Sequence, residues 1–167
     1  SPYGYHKWMC EQLAGEYSAV YGVRVASMRI FSAFGAGLRK QILWDLCEKC
    51  RSGGPIQLGG DGSETRDFIH ATDIATAAGK IFFGGAFHGE VYNVASGVET
   101  SIFDLARQVL SSYGLPEDQL TFTGHSRLGD PKNWRADVET LKSLGFSPTV
   151  DFASGVREYV EWYRSIL

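Results

Sequence analysis

The chain is short of cysteine, of positive charge and of long apolar runs, and each shortage closes a class of function. It holds three cysteines in 167 residues, an odd and small count that offers no disulfide framework. Two of them form CEKC, Cys47 and Cys50, with no second pair at metal-ligand spacing. Cys10 or His6 would have to complete a zinc site from a distant position, and the plainer reading is two reduced thiols at i and i+3 of a helix. Acidic residues outnumber Lys and Arg by 19 to 16, for a net charge of -3. That balance removes the broadly basic surface with which proteins neutralise nucleic-acid phosphates. No apolar run approaches the roughly 20 residues that cross a bilayer, and the start carries no charged stretch followed by an apolar one. A cytoplasmic protein with no membrane or nucleic-acid partner is expected.

What is present suits a packed core. Hydrophobic residues make up 44% of the chain and aromatics 13%, enough for one ordinary domain of this length. Helices and strands alternate along it. The apolar positions Trp8, Leu13, Tyr17 and Val20 predict a helix over Tyr5 to Tyr21, stopped at Gly22. VRVASMRIF reads as a buried strand, Arg39 to Arg51 as a helix closed by Gly53-Gly54-Pro55, and Asp67 to His70 as a strand after a glycine-rich turn. A helix capped by Thr72 or Asp73 follows, then the strand EVYNVAS and the amphipathic helix SIFDLARQVLSSYG, with Ser101 or Thr100 as cap and Gly114 as stop. LTFTG reads as a short strand, Ser126 to Trp134 as a loop, and Asp137 to Leu144 and Phe152 to Ile166 as the last helices. The alternation predicts an α/β fold.

Chemistry is concentrated in the opening SPYGYHKWMCE. Tyr3 and Lys7 stand at i and i+4, on one face of a helix that begins at or before Tyr3. A phenol is a poor base at neutral pH, but a nearby ammonium stabilises phenolate, so such a pair can move a proton to or from a substrate hydroxyl. The same spacing is also common on helices where both side chains merely cover the surface.

SPYGYHKWMCE resembles the catalytic helix of the extended short-chain dehydrogenase/reductase family, the NAD-dependent epimerases and dehydratases of nucleotide sugars. RIFSAFGAG is similar to the strand and loop that follow in that family, with Ser32 where Asn is usual and Ala36 where Pro is usual. GDGSETRDFIHATDIATA, VYNVASG, RLGDP and ADVETLKSLGFSP…GVREYVEWY resemble its later segments in the same order. The resemblance implies the last strands and helices of a Rossmann-like sheet plus the small substrate-binding domain. Residues 1–37 would be the remaining dinucleotide-domain part, residues 38–167 mainly the substrate region, and residues 67–95 would return to the sheet. It also implies that an N-terminal half is lacking: no G-x-G-x-x-G turn follows a strand, since GAGL and GGDG are glycine clusters in other settings. The catalytic Ser or Thr that the family places upstream of its tyrosine is lacking too, and Ser1 lies too near Tyr3 to stand for it.

Site residues follow from the matching positions. Tyr3 would be the acid/base, Lys7 would assist it and hold the nicotinamide ribose, and Phe31 would approach the nicotinamide. Ser32, Arg66 and Arg127 would face the substrate, the two arginines gripping the diphosphate with their planar forks. Plainer roles stand beside these. Arg66 has Asp61, Glu64 and Asp67 within reach as surface partners, and Arg127 has Asp130. His70 and Asp73 read as backbone-orienting or capping groups, Trp44, Trp134 and Trp162 as core or edge packing, and His6 as solvent-facing.

The chain is thus expected to be the C-terminal portion of an NAD(P)-dependent nucleotide-sugar epimerase or dehydratase, inactive and without bound cofactor alone. The other reading is a non-catalytic relative that serves as an oligomeric fold or a nucleotide-sugar binding module. Either leaves the helix carrying Tyr3 and the strand VRVASMRI with an uncovered face. A symmetric homodimer, or the other half supplied in trans, would cover it. Light scattering of the purified chain is expected to show a dimer, and a monomer across a wide concentration range would refute that expectation.

Overall fold

A serine hydroxyl opens the first helix and a left-handed glycine ends it. Ser1 accepts the Gly4 N–H at 3.3 Å, Pro2 sits in the first turn, and Gly22 at φ 67° closes α1 (Pro2–Tyr21). The helix therefore starts earlier than the apolar spacing suggests, and Tyr3 lies inside its first turn. A computed structural model of the chain describes residues 1–125, 129 and 131–167.

The stretch read as one strand divides at Phe31. β1 (Val25–Ile30) is followed at once by β2 (Ser32–Phe34), and then by α2 (Gln41–Ser52), β3 (Ile56–Leu58), β4 (Thr65–His70) and α3 (Ala71–Gly84). β5 (His88–Val94), β6 (Glu99–Ser101), α4 (Ile102–Tyr113), a single 3-10 turn, β7 (Leu120–Phe122), α5 (Glu139–Ser143) and α6 (Phe152–Ser165) complete the chain. β1 pairs in parallel with β5, whereas β2 pairs in parallel with β4, whose other end runs antiparallel to β6. β3 and β7 form a separate parallel pair. Phe31 is the crossing point, since its N–H still donates to Val94 at 3.0 Å while Ser32 already opposes Phe68. The architecture is α/β, as the alternation predicts.

The larger core lies among α2, α4 and α6. Leu43, Leu46, Leu105, Val109, Val156 and Tyr159 are fully buried there, and Phe34 and Phe68 close it from β2 and β4. Amphipathic spacing accounts for α4 and α6, whose caps Ser101 and Asp151 accept backbone N–H groups at 2.9 and 3.0 Å. A smaller core sits between α3 and the β1–β5 pair, around Ile69, Ile81, Tyr92 and Val94.

The start of α3 bears out the capping role read for His70 and not the one offered for Thr72 or Asp73. Its cap is His70, whose Nδ1 accepts the Thr72 N–H at 3.3 Å, and neither Thr72 nor Asp73. Asp73 is buried and instead accepts Thr149 N–H, Thr149 Oγ1–H and Val150 N–H at 2.8 to 3.1 Å. A carboxylate drawn into the interior needs such donors, and those nearest come from a distant loop.

α1 packs on the β1–β5 pair without burying any residue completely. Arg29 donates to both Glu11 carboxylate oxygens at 2.7 and 2.6 Å. Nearer the start of the strands, Gly89 approaches Gly15 so closely that a Cβ on Gly89 would lie 2.8 Å from the Gly15 Cα. Gly15 thus sits by the start of β5 and Glu11 by the end of β1, so α1 runs opposite to the strands. Trp8, Leu13, Tyr17 and Val20 remain exposed, together with Ile30.

Both cysteines of CEKC are buried in the larger core, whereas Cys10 is exposed. Burial pushes the Cys47 thiol up to about 12 and the Cys50 thiol up to about 11. Folding favours the protonated thiols, so their contribution to stability is whole at neutral pH and is lost as pH climbs through the ordinary thiol range towards the folded values. The urea midpoint is expected to fall above about pH 9, and Ellman's reagent at pH 8 should find one fast thiol in the native chain and three in urea. A second experiment addresses α1: Gly89, at φ 93°, has room for neither a side chain nor a different backbone. Gly89→Ala should cost on the order of 2 kcal/mol by urea unfolding, whereas Gly114→Ala, with open space around it, should cost about 1 kcal/mol.

Candidate functional site

Three of the expected site residues meet at the carboxyl end of β1 and along β4. Phe31 leaves β1 and turns its ring edge to Trp134, with centroids 5.8 Å apart. Trp134 in turn lies beneath Arg66, whose guanidinium carbon is 5.7 Å from a ring centroid of the indole. Ser32 opposes Phe68 in the register of β2 and β4, so the alternation of side chains puts it on the sheet face that bears Arg66 and Phe68.

Arg66 does not make the carboxylate pairs its neighbours offered. Its Nη1 donates to the carbonyls of Thr65 at 2.7 Å and Pro131 at 2.9 Å. The three candidate carboxylates are engaged elsewhere. Asp61 accepts the Ser63 N–H at 2.8 Å, and Glu64 accepts the N–H groups of Asp61 and Gly62 at 3.2 and 3.0 Å. The serine bonds hold the Asp61 carboxyl below the usual carboxylate range. Asp67 is fully buried and takes Ser96 N–H, Ser96 Oγ–H, Gly97 N–H and Ala136 N–H at 2.7 to 3.1 Å.

These bonds leave Arg66 on the wall of a cleft of about 770 Å³, with the start of α2, the Gly59–Asp61 turn and Lys132 around it. The volume lies within the range of small-molecule sites, roughly 300–1,000 Å³. Lys49 also reaches the cleft but is tied to Asp45 at 2.6 Å and to the Gln57 carbonyl at 2.9 Å. Gln41, at the mouth of α2, adopts the left-handed conformation with φ 68°. Arg127 and its alternative partner Asp130 lie outside the described residues.

Tyr3 and Lys7 share one face of α1, with the Lys7 Nζ 5.6 Å from the centroid of the Tyr3 ring. Both are exposed. Because α1 runs opposite to β1 and Glu11 already reaches Arg29 near the strand's end, Lys7 stands about one turn, or roughly 5 Å, further along the axis. The pair therefore overlooks the same end of the β1–β5 pair as Phe31 and the Ala95–Gly97 turn. Open parallel sheets bind ligands outside the carboxyl ends of their strands.

Trp134, read from the sequence as packing, is the residue that joins Phe31 to Arg66, and its only sequence signal was its place just after RLGDP. Asp67 was read only as a surface partner of Arg66, and the cleft residues Gln41 and Lys132 carried no signal. No group of three or more metal-ligating side chains occurs among the described residues, and none of their helices is long and apolar enough to cross a membrane.

Comparison with known proteins identifies the family. Residues 1–95 match the NAD dependent epimerase/dehydratase family. A dTDP-glucose 4,6-dehydratase from Streptomyces niveus is 31% identical over 98% of this chain and 49% of its own length. A putative UDP-glucose 4-epimerase from Methanocaldococcus jannaschii is 26% identical over 99% of this chain and 54% of its own. Among solved structures, the UDP-N-acetylglucosamine 4-epimerase of Methanobrevibacter ruminantium superposes with a TM-score of 0.88 at 27% identity, covering all of this chain and 55% of that one. A dTDP-glucose 4,6-dehydratase from Streptomyces venezuelae, solved with NAD bound, gives the same TM-score at 27% identity over 99% of this chain and 51% of its own. The chain thus spans about half the length of the relatives it matches. With its Rossmann-like strands, its opening Tyr–Lys helix and a family match over residues 1–95, the chain belongs to the NAD dependent epimerase/dehydratase family.

Proposed function

We propose that this chain is the C-terminal portion of a nucleotide-sugar epimerase or dehydratase, carrying the diphosphate grip of the substrate site and the acid/base pair of the reaction. The observation that supports the grip is Arg66, which two backbone carbonyls fix on a cleft wall, with no ion pair to a carboxylate among the described residues. A guanidinium so held offers its remaining donors to phosphate oxygens, which match the fork of the side chain. Ser32 contributes a hydroxyl on the same sheet face, and Arg127 is the second arginine of the grip.

Tyr3 holds or gives up the proton of a substrate hydroxyl at its phenolic oxygen. The Lys7 ammonium stands 5.6 Å from the centroid of the Tyr3 ring on the same helix face, so the acid/base group and a cation face the substrate together. The residues at this end of the sheet fit a dinucleotide in part: Lys7 would hold a ribose hydroxyl and Phe31 would lie against the nicotinamide. When bound, NAD or NADP supplies the hydride acceptor. The turn that joins β2 to α2 carries Gly35 and Gly37, but Lys40 stands where the dinucleotide-binding pattern has its third glycine. The pyrophosphate cradle thus belongs to the other half, residues 1–37 and the returning strand β5 are the remaining dinucleotide-domain part, and the chain alone neither holds the cofactor nor turns over. The exposed row Trp8, Leu13, Tyr17 and Val20 with Ile30 supports a cover for that face, either the half carrying the cradle or a second copy.

Calorimetric titration tests the reading. UDP-glucose or dTDP-glucose should give heat with the wild-type chain, weakened at least about tenfold in Arg66→Ala, since a charged hydrogen bond contributes roughly 1.5–3 kcal/mol. NAD should give none. Absence of heat from every nucleotide sugar would overturn the assignment of the cleft, and binding of NAD would overturn that of the cradle.

A further inference from the structure

We propose that Trp134 is a positioning residue for Arg66, the platform that holds the guanidinium in place to receive a diphosphate. The inference rests on the reading of the cleft given above. An arginine side chain carries about 2 kcal/mol of rotamer entropy, so a grip that is ready before the ligand arrives must restrain it. Two restraints act at Nη1, through the Thr65 and Pro131 carbonyls. The third is the indole, 5.7 Å from the guanidinium carbon, close enough for cation–π attraction. Nε and Nη2 make no hydrogen bond among the described residues, so the platform leaves them to the ligand.

The platform is itself fixed from several directions. The Trp134 N–H donates to Thr65 Oγ1 at 3.2 Å, and the Lys132 carbonyl accepts the Thr65 N–H at 2.8 Å. Beyond it, Arg135 Nε donates to the Gly97 carbonyl at 2.9 Å and Ala136 N–H to Asp67 at 3.1 Å. The edge of Phe31 meets the ring from the β1 side. Residues 131–136 are therefore laced along β4, yet Trp134 remains 43% exposed. A large apolar ring clamped at its backbone but left open to solvent is placed for Arg66 rather than for the core.

The test separates a platform from a direct ligand contact. In the free chain, the Arg66 Nε–H resonance, identified by its loss in Arg66→Ala, should show a ring-current shift. The shift should vanish in Trp134→Leu, which keeps apolar bulk without a π face, and persist largely in Trp134→Phe. By calorimetry, Trp134→Leu should weaken UDP about fivefold, Trp134→Phe should restore most of that loss, and neither should alter the binding of uridine, which has no phosphate. In the Arg66→Ala background Trp134→Leu should cost nothing more. An Arg66 resonance indifferent to Trp134→Leu, an equal loss for uridine, or additive losses in the double variant would each overturn the proposal. If the wild-type chain binds no UDP, the reading of the cleft fails while the resonance still decides whether the platform exists.

Discussion

The carboxylate of Asp67 is the constraint on which the site depends. It is fully buried and accepts four donors from two distant segments, Ser96–Gly97 and Ala136. Removing such a group from water is costly unless its lone pairs are filled, so β4 can keep Asp67 inside only while both segments lie against it. The alternation of the strand then points Arg66, the next residue back, to the opposite face. One buried acid thus brings the β5–β6 turn and the strand bearing Arg66 together with the segment that carries Trp134. The cleft wall follows from that arrangement.

The division of the chain at Phe31 has a comparable effect at larger scale. A single extended run leaves β5 and joins β4, so the β1–β5 pair and the β2–β4–β6 sheet are anchored to each other by a covalent crossing. The helix that carries Tyr3 and Lys7 lies on the first unit and Arg66 on the second. Their relation is therefore governed by backbone geometry at one residue, where Phe31 also meets Trp134. The Gly15–Gly89 approach fixes the other coordinate, the depth at which α1 rests on the strands.

The order of elements was largely legible in the sequence, because apolar periodicity and end signals are local. Ser101, Gly114 and Gly22 mark their helices where expected, and the strands of Asp67–His70 and EVYNVAS fall in place. Caps and partners were less legible. Of the capping groups offered for α3, His70 takes the place and Thr72 and Asp73 do not, since Asp73 finds better donors in a loop 76 residues away. Arg66 likewise ignores three carboxylates near it in sequence for the carbonyl of its neighbour Thr65 and that of Pro131, which tertiary contact sets.

The sequence by itself determined the α/β order, the family and the pairing of Tyr3 with Lys7 on one helical face, because each depends on spacing within a few residues or on motifs in a fixed order. Tertiary structure alone decided that Phe31 divides a strand, that Arg66 is held on a cleft wall by carbonyls rather than by the acids near it in sequence, and that Trp134 lies beneath it. Those outcomes depend on which distant donors reach a buried carboxylate first, and on which face each strand is left to show. Neither quantity is written in local spacing.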